Sequence, residues 1–203
     1  TPLITNSDGT KFGKSEGNAI WLDPAMCSPY AFYQFWLNTA DADVAARLKV
    51  FTFLSRAEIE ALEASVAERP FAREGQRKLA YEVTSLVHGV EATEKVIAAS
   101  AAVFGGGDLT ALDAESLRAA TAELPSATVD GSGLGIIDLL VATGLSESKS
   151  AARRTVGEGG AYVNNTKISD PDAVIAAGEL LHGRYLLLRR GKKNLATVEV
   201  SGA

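Results

Sequence analysis

The sequence predicts a mainly α-helical region followed by a small α+β domain. Residues 28–124 show helical periodicity with recognisable helix starts and ends, whereas residues 125–133 are dominated by turn-forming residues. Beyond that point the apolar residues occur in short runs of the length of single strands and short helices. The 203 residues, 46% of them apolar and 22% charged, are enough for one or two domains with their own cores.

Capping signals divide the helical region. Ser28-Pro29 predicts an N-cap followed by the first helical residue, and Ser55 with Glu58 has the spacing of a capping box. Gly89 is suited to the left-handed position that closes a helix. The predicted helices are 29–37, 41–53, 56–69, 71–88, 91–103 and 113–122. The helix over 71–88 carries an apolar stripe made of Leu79, Val83, Leu86 and Val87.

The second region is predicted from short elements and their turns. Residues 125–133 have little to bury and are predicted to be a linker. Asn164-Asn165 predicts a tight hairpin turn, because Asn tolerates positive φ, and residues 191–194 predict another turn. The predicted elements are helices at 136–142 and 146–156 and strands near 161–163, 167–168, 185–189 and 197–200.

Composition limits the class of protein. The formal net charge of −5 alone argues against a nucleic-acid binder, but the charge is uneven. Residues 1–133 hold 11 Lys and Arg against 18 Asp and Glu, whereas residues 134–203 hold 9 against 7, which hints at a polyanionic partner at one end. The single cysteine, Cys27, excludes an internal disulfide, and without a His/Cys cluster we expect no metal site. No apolar run is long enough to cross a bilayer, so we expect a cytoplasmic protein without membrane contact.

The segment over residues 5–18 is polar, Gly-rich and carries Lys11 and Lys14 three residues apart. We call it the signature loop. Lysines can follow phosphate charge as it redistributes, and Ser15 adds a hydroxyl donor. Glycines allow the backbone to approach a ligand, and they are Gly9, Gly13 and Gly17. An ordinary solvated surface loop is the alternative for the lysine pair taken alone.

The string Lys-Phe-Gly-Lys-Ser over residues 11–15, with its flank Glu-Gly-Asn-Ala-Ile-Trp-Leu over residues 16–22, resembles the Lys-Met-Ser-Lys-Ser signature of class I aminoacyl-tRNA synthetases in its tyrosyl form. The resemblance implies that residues 1–24 end a class I catalytic domain. It also implies that Lys11 and Lys14 close over the β- and γ-phosphates of ATP, with Ser15 assisting and Gly13 in the ATP site. The chain starts without methionine almost on the motif, so we expect a Rossmann-type catalytic half upstream.

Residues 25–124 resemble the helical domain that recognises tRNA in the tyrosyl enzymes. The match is carried by the aromatic segment at 30–38 and by residues 75–89. The aromatic segment is predicted to be core rather than a base-stacking surface, and His88 to be a packing or capping residue rather than a catalyst. Basic residues of this domain could touch RNA backbone, although a solvated helix face explains them equally well, and they are Arg73, Arg77 and Lys78.

Residues 134–203 resemble the small RNA-binding module of the S-four ribosomal protein, through matching residues 134–190. Lys149 and Arg153 lie four residues apart, as do Ser150 and Arg154, so the two pairs form neighbouring rows on one helix face. Such a face can follow a phosphate backbone. A basic, solvated helix is the alternative. The residues predicted to bind RNA are Lys149, Ser150, Arg153, Arg154, Asn164, Asn165 and Lys167.

Together the three segments resemble the C-terminal portion of a bacterial-type tyrosyl-tRNA synthetase. This implies activation of tyrosine by ATP, as substrate with Mg²⁺ and without a permanent cofactor, followed by transfer of tyrosine to its tRNA. It also implies a homodimeric full-length protein, and an isolated segment that is inactive without the upstream half. The alternative is a non-catalytic RNA-binding protein that uses only the C-terminal module.

Overall fold

The structure, a computed structural model, describes residues 4–7, 9–12, 20–131 and 134–201. The chain forms two compact units, Thr1–Ile97 and Ala98–Ala203. The first is helical and the second combines helices with a small mixed sheet, so the predicted fold class is confirmed. No helix in the described ranges is long and apolar enough to cross a membrane.

The helical unit begins its helices where the capping signals predict them. The Ser28 hydroxyl accepts a hydrogen bond from the Ala31 amide at 3.2 Å, and Ser55 and Glu58 form the predicted capping box. The helices are α1 (Pro29–Leu37), α2 (Asp41–Phe51), α3 (Arg56–Glu68), α4 (Glu74–His88) and α5 (Val90–Val103), the last of which continues into the second unit.

The helix predicted over 71–88 starts later than expected. Pro70–Ala72 form a 3-10 turn, and Arg73 adopts a left-handed conformation with φ of 51° before α4 begins. The side chain of Leu86 is 61% exposed, so it does not belong to the buried stripe, whereas Leu79 is fully buried. The helix ends at His88, and Gly89 follows with φ of 88° and ψ of 157°, so its φ is positive but its backbone is extended rather than in the predicted left-handed helical conformation.

Close packing of α4 against its neighbours depends on Gly75. A Cβ atom at this position would lie 2.8 Å from Val44 Cγ1 on α2 and 2.8 Å from Val66 Cγ2 on α3. The core around this contact is built from large, fully buried side chains, which are Phe32, Val44, Leu48 and Leu79. The absence of a side chain at residue 75 therefore lets three helices meet.

The second unit contains helices α6 (Ala114–Thr121), α7 (Ile136–Ala142) and α8 (Lys149–Gly157) and strands β1 (Ser126–Asp130), β2 (Ala161–Val163), β3 (Thr166–Ile168), β4 (Tyr185–Arg190) and β5 (Asn194–Ser201). The described strands form a sheet of order β1-β5-β4-β2-β3. β1 runs parallel to β5, and the other neighbours are antiparallel. One apolar core joins α7 and α8 to the inward side chains of the sheet.

The segment predicted to be a linker contains β1 instead. Residues 126–130 pair in register with residues 197–201 of β5. Thr128 and Val129 are β-branched and favour an extended backbone, and alternate residues of the strand are half-buried. Turn-forming residues on both sides concealed this short strand, and its partner is about seventy residues away in the chain.

We predict that Gly75→Ala lowers the free energy of unfolding of the helical unit by about 1–3 kcal/mol, because the new methyl group must displace two valines in a packed core. Chemical denaturation followed by circular dichroism measures this. Gly157→Ala is the matched control, since nothing lies within 4 Å of its added Cβ. Equal stability of Gly75→Ala and the parent protein would contradict the packing argument.

We also predict that His88 makes stability depend on pH. Its ring packs edge-on against Phe32 with centroids 4.8 Å apart, and burial lowers the pKa of His88. The unfolded chain therefore binds more protons than the folded one near the ordinary histidine pKa of about 6.5, and stability falls as pH drops through and below that value.

Thermal unfolding at several pH values between about 5 and 8 measures the dependence. His88→Phe keeps an aromatic ring against Phe32 and should remove this part of the acid sensitivity. His182→Asn is the control for the chain's other histidine, whose φ of 53° Asn tolerates. If His88→Phe retains the full acid sensitivity, the burial of His88 is not its cause.

Candidate functional site

The described part of the signature loop begins as a small hairpin, residues 4–7 and 9–12, which we call the loop hairpin. Thr5 and Lys11 form an antiparallel bridge, and the Phe12 amide donates a hydrogen bond to the Ile4 carbonyl at 3.2 Å. Lys11 is exposed at the end of this hairpin. The other predicted phosphate-contacting residues lie outside the described residues, and they are Gly13, Lys14 and Ser15.

Phe12 ties the loop hairpin to the helical unit. Its ring packs among aromatic rings of α1 and α2, with centroid separations of 5.8 Å to Phe35, 5.7 Å to Trp36 and 5.4 Å to Phe51. Arg47 also lies over the Phe12 ring, 4.8 Å from its centroid. Lys11 is therefore held next to a residue anchored in a core, while its own side chain faces solvent.

Helix α8 presents the first row of the predicted RNA-binding residues. Its N-terminus is capped by the Ser148 hydroxyl, which accepts a hydrogen bond from the Ala151 amide at 3.2 Å. Lys149 Nζ lies 2.7 Å from an Asp138 carboxylate oxygen, and Arg153 Nη1 lies 3.3 Å from Asp172. The structure thus brings Lys149 and Arg153 onto one face as predicted, but each already has an acidic partner.

The second row of α8 consists of Ser150 and Arg154, both exposed. Within the described ranges Arg154 forms no ion pair, so its guanidinium is available to an external anion. Ala152 and Val156, on the opposite side of the helix, are fully buried in the unit's core. The helix is therefore amphipathic, with its basic residues directed away from the sheet.

The predicted Asn164-Asn165 hairpin turn is confirmed, with φ of 46° and 65°. Both side chains form bonds inside the unit. Asn164 Oδ1 accepts from the Leu187 amide at 2.9 Å, and Asn165 Nδ2 donates to the Ala102 carbonyl at 2.7 Å. These bonds give both amides a structural role, and their contact with RNA stays a prediction.

Lys167 lies on the other face of the sheet from α8. In the β2–β3 register it is opposite Tyr162, whereas Ala161 and Val163 point into the core that α8 covers. Its side chain lies across Gly159, where any Cβ would collide with it. The structure therefore does not add Lys167 to the basic rows of α8.

One stacked pair was missed by the sequence reasoning. Arg189 on β4 is opposite Tyr162, and its guanidinium carbon lies 3.9 Å from the centre of the tyrosine ring. With Lys167 the pair forms a cross-strand row of two cations and one aromatic ring. Two-residue alternation along β2 and β4 could show which face each side chain occupies. It could not show that Tyr162 and Arg189 are opposite each other, because that depends on the register of the strands.

Comparison with known proteins gives two family matches. Residues 1–105 match the model of the tRNA synthetases class I (W and Y). Residues 116–198 match the model of the tyrosine–tRNA ligase SYY-like C-terminal domain. The first match contains the loop hairpin and the helical unit, and the second contains α8 and the sheet except for the end of β5.

Individual relatives agree with these matches. A tyrosine–tRNA ligase of Streptomyces coelicolor is 59% identical over 100% of this chain and 48% of its own length, and one of Leifsonia xyli is 64% identical over 98% and 45%. The chain therefore spans about half the length of these curated relatives. A solution structure of a tyrosyl-tRNA synthetase C-terminal domain is 33% identical, with coverage of 47% of this chain and 96% of that chain and a TM-score of 0.40.

One family model thus matches half of the chain, the half that contains the loop hairpin and the helical unit, and a second model matches the part that contains the basic helix α8. The chain belongs to the class I tRNA synthetases of the W and Y family. Within that family its resemblance is to the tyrosyl-tRNA synthetases, as predicted from the signature loop and the C-terminal module.

Proposed function

We propose that the protein containing this chain is a tyrosine–tRNA ligase. It activates tyrosine with ATP, giving tyrosyl-adenylate and pyrophosphate, and then transfers tyrosine to the 3′ end of its tRNA. The observation that carries the proposal is the 59–64% identity with tyrosine–tRNA ligases over nearly the whole chain, signature loop included. The alternative, a non-catalytic RNA-binding protein, is not favoured, because it leaves the family match over residues 1–105 without a reason.

In the activation step a tyrosine carboxylate oxygen bonds to the α-phosphorus of ATP, and the bond from that phosphorus to the bridging oxygen of pyrophosphate breaks. Negative charge grows on the leaving oxygens, so the step gains most from cations directed at them. We propose Lys11, Lys14 and Ser15 for this role, with Gly13 permitting close approach and Mg²⁺ accompanying ATP. The exposure of Lys11 at the end of an anchored hairpin supports this role.

The domain roles follow the same proposal. Residues 1–24 end the catalytic domain, residues 25–124 form the helical tRNA-recognition domain, and residues 134–203 form most of the RNA-binding domain. The full-length protein acts as a cytoplasmic homodimer with tRNA for tyrosine as its macromolecular substrate. The basic rows of α8, which are exposed and share one helix face, support the contact with RNA.

The first test is Lys14→Ala in the full-length protein. Loss of one phosphate-directed charge should cost about 2–4 kcal/mol of transition-state stabilisation, a fall of about 30- to 900-fold in the rate constant for adenylate formation. Tyrosine affinity should change little. Pre-steady-state activation kinetics measure both quantities.

Lys95→Ala is the matched control, because it also removes one exposed lysine but outside the signature loop. Lys95 lies on α5, where its Nζ is 3.0 Å from a carboxylate oxygen of Glu91. If Lys14→Ala activates tyrosine at the parent rate, the assignment of the signature loop fails. If the parent protein shows no tyrosine-dependent exchange between ATP and pyrophosphate, the ligase proposal itself fails.

The second test concerns the RNA contact. Arg153→Ala with Arg154→Ala should weaken tRNA binding and lower the slope of log affinity against log salt by about 0.7–0.9 for each lost phosphate contact. Adenylate formation should persist. Asp138→Asn should instead tighten binding, because it releases Lys149 from its acidic partner and removes a negative charge.

Arg184→Ala is the control for the RNA test. Arg184 has the same side-chain exposure as Arg153, 60%, and is also paired with an acid, Glu199, but it lies in the turn before β4 rather than on α8. Filter binding or anisotropy at several salt concentrations gives the slopes. A double variant with the parent slope would contradict the assignment of α8 to RNA.

A further inference from the structure

Two charged residues of α2 form hydrogen bonds with the loop hairpin. Asp43 Oδ1 accepts a hydrogen bond from the Ser7 amide at 2.8 Å. Arg47 Nη2 donates to Asn6 Oδ1 at 2.6 Å. Both partners lie between Thr5 and Lys11, at and just before the hairpin turn, so α2 holds this part of the hairpin through one bond to its backbone and one to a side chain.

These two residues are also buried, with relative exposures of 9% for Asp43 and 8% for Arg47. They lie 3.5 Å apart as an i,i+4 pair, and Arg47 Nη1 donates to the Thr39 hydroxyl at 2.8 Å. Burial lowers the pKa of Arg47, the sign of a desolvated cation. An ion pair in such a place adds little to stability over apolar residues of similar volume, so its polar contacts point to another use.

The same arginine contacts the next part of the loop. Its guanidinium carbon lies 4.8 Å from the centre of the Phe12 ring, which itself packs among Phe35, Trp36 and Phe51. Arg47 therefore touches the hairpin on both sides of Lys11, at Asn6 across the hairpin and at Phe12 beside it. The backbone of Lys11 is fixed between those two contacts by its bridge to Thr5.

We propose that Asp43 and Arg47 are positioning residues for the signature loop. They fix the backbone from which Lys11 extends, so that its side chain is already placed to reach the phosphates of ATP in the transition state. The inference rests on the proposed ligase activity and deepens it. Neither residue needs to touch ATP, tyrosine or tRNA for this role.

The expected result is a fall in rate without a loss of substrate binding. In the full-length protein, Asp43→Ala and Arg47→Met should each lower the rate constant for adenylate formation about 10- to 100-fold, because small displacements of a catalytic group cost that much. The tyrosine dissociation constant should stay within about twofold, since removal of an interaction made only in the transition state lowers kcat and leaves ground-state binding unchanged.

Conservative variants separate positioning from a general structural role. Asp43→Asn keeps an oxygen that accepts from the Ser7 amide and should retain most of the activity that Asp43→Ala loses. Asn6→Ala removes the acceptor of Arg47 without altering α2, and its effect should not add to that of Arg47→Met in a double-mutant cycle. Additive effects would contradict a shared contact.

Lys49→Ala is the matched control on the same helix. Lys49 is 57% exposed and pairs with Glu63 of α3 rather than with the loop hairpin, so its loss should leave the activation rate unchanged. Parent-like rates for Asp43→Ala and Arg47→Met would overturn the proposal, as would equal losses in Asp43→Asn and Asp43→Ala. Absence of tyrosine-dependent ATP–pyrophosphate exchange in the parent protein would instead refute the proposed function.

Discussion

The helical unit depends on the burial of aromatic rings where α1 and α2 meet. Trp36 is 3% exposed, and Phe12 from the loop hairpin completes the cluster from outside the helices. A residue of a Gly-rich, polar segment thus takes part in a hydrophobic core. Burial of an aromatic side chain of this kind contributes about 2 kcal/mol or more. The same hydrophobic interaction therefore holds both the hairpin and the helices, and it fixes the backbone position of Lys11, the residue next to Phe12.

The second unit combines an apolar core with an exposed row of basic side chains on α8. The two faces of its sheet carry different side chains. One face packs on α7 and α8, and α8 in turn directs its basic rows outward. The neighbouring acids Asp138 and Asp172 neutralise part of that charge at rest. A phosphate chain that bound α8 as proposed would have to displace these carboxylates, which favours a polyanion with many closely spaced charges over a single small anion.

Local signals predicted much of this fold because their causes are local. A hydroxyl before a helix, as at Ser28 and Ser55, acts over three residues, and the helices begin there. A pair of Asn residues predicts positive φ by itself, and the turn at Asn164-Asn165 has it. Lys11 and the basic residues of α8 were predicted from motifs and helical spacing; the structure shows them exposed, and their roles stay predictions.

Features that depend on distant partners were not predictable in this way. Strand β1 is extended because β5 offers it hydrogen bonds, and the face occupied by Lys167 depends on the β2–β3 register. The internal bonds of Asn164 and Asn165 depend on where Leu187 and Ala102 lie. The anchoring of the loop hairpin by Asp43 joins residues 36 positions apart, and α2 alone gives no sign of it.

The parallel pairing of β1 with β5 has a consequence for how the second unit can be divided. A polypeptide that begins at residue 134 would lack β1 but contain the remaining four strands of the described sheet. Five residues of β5, Thr197–Ser201, would then lose the strand with which they pair. Such an edge offers unpaired backbone groups to the strands of other molecules. Because β1 is at the edge of the described sheet, its removal makes β5 the new edge strand, and a fragment that keeps the whole sheet must start upstream of Ser126.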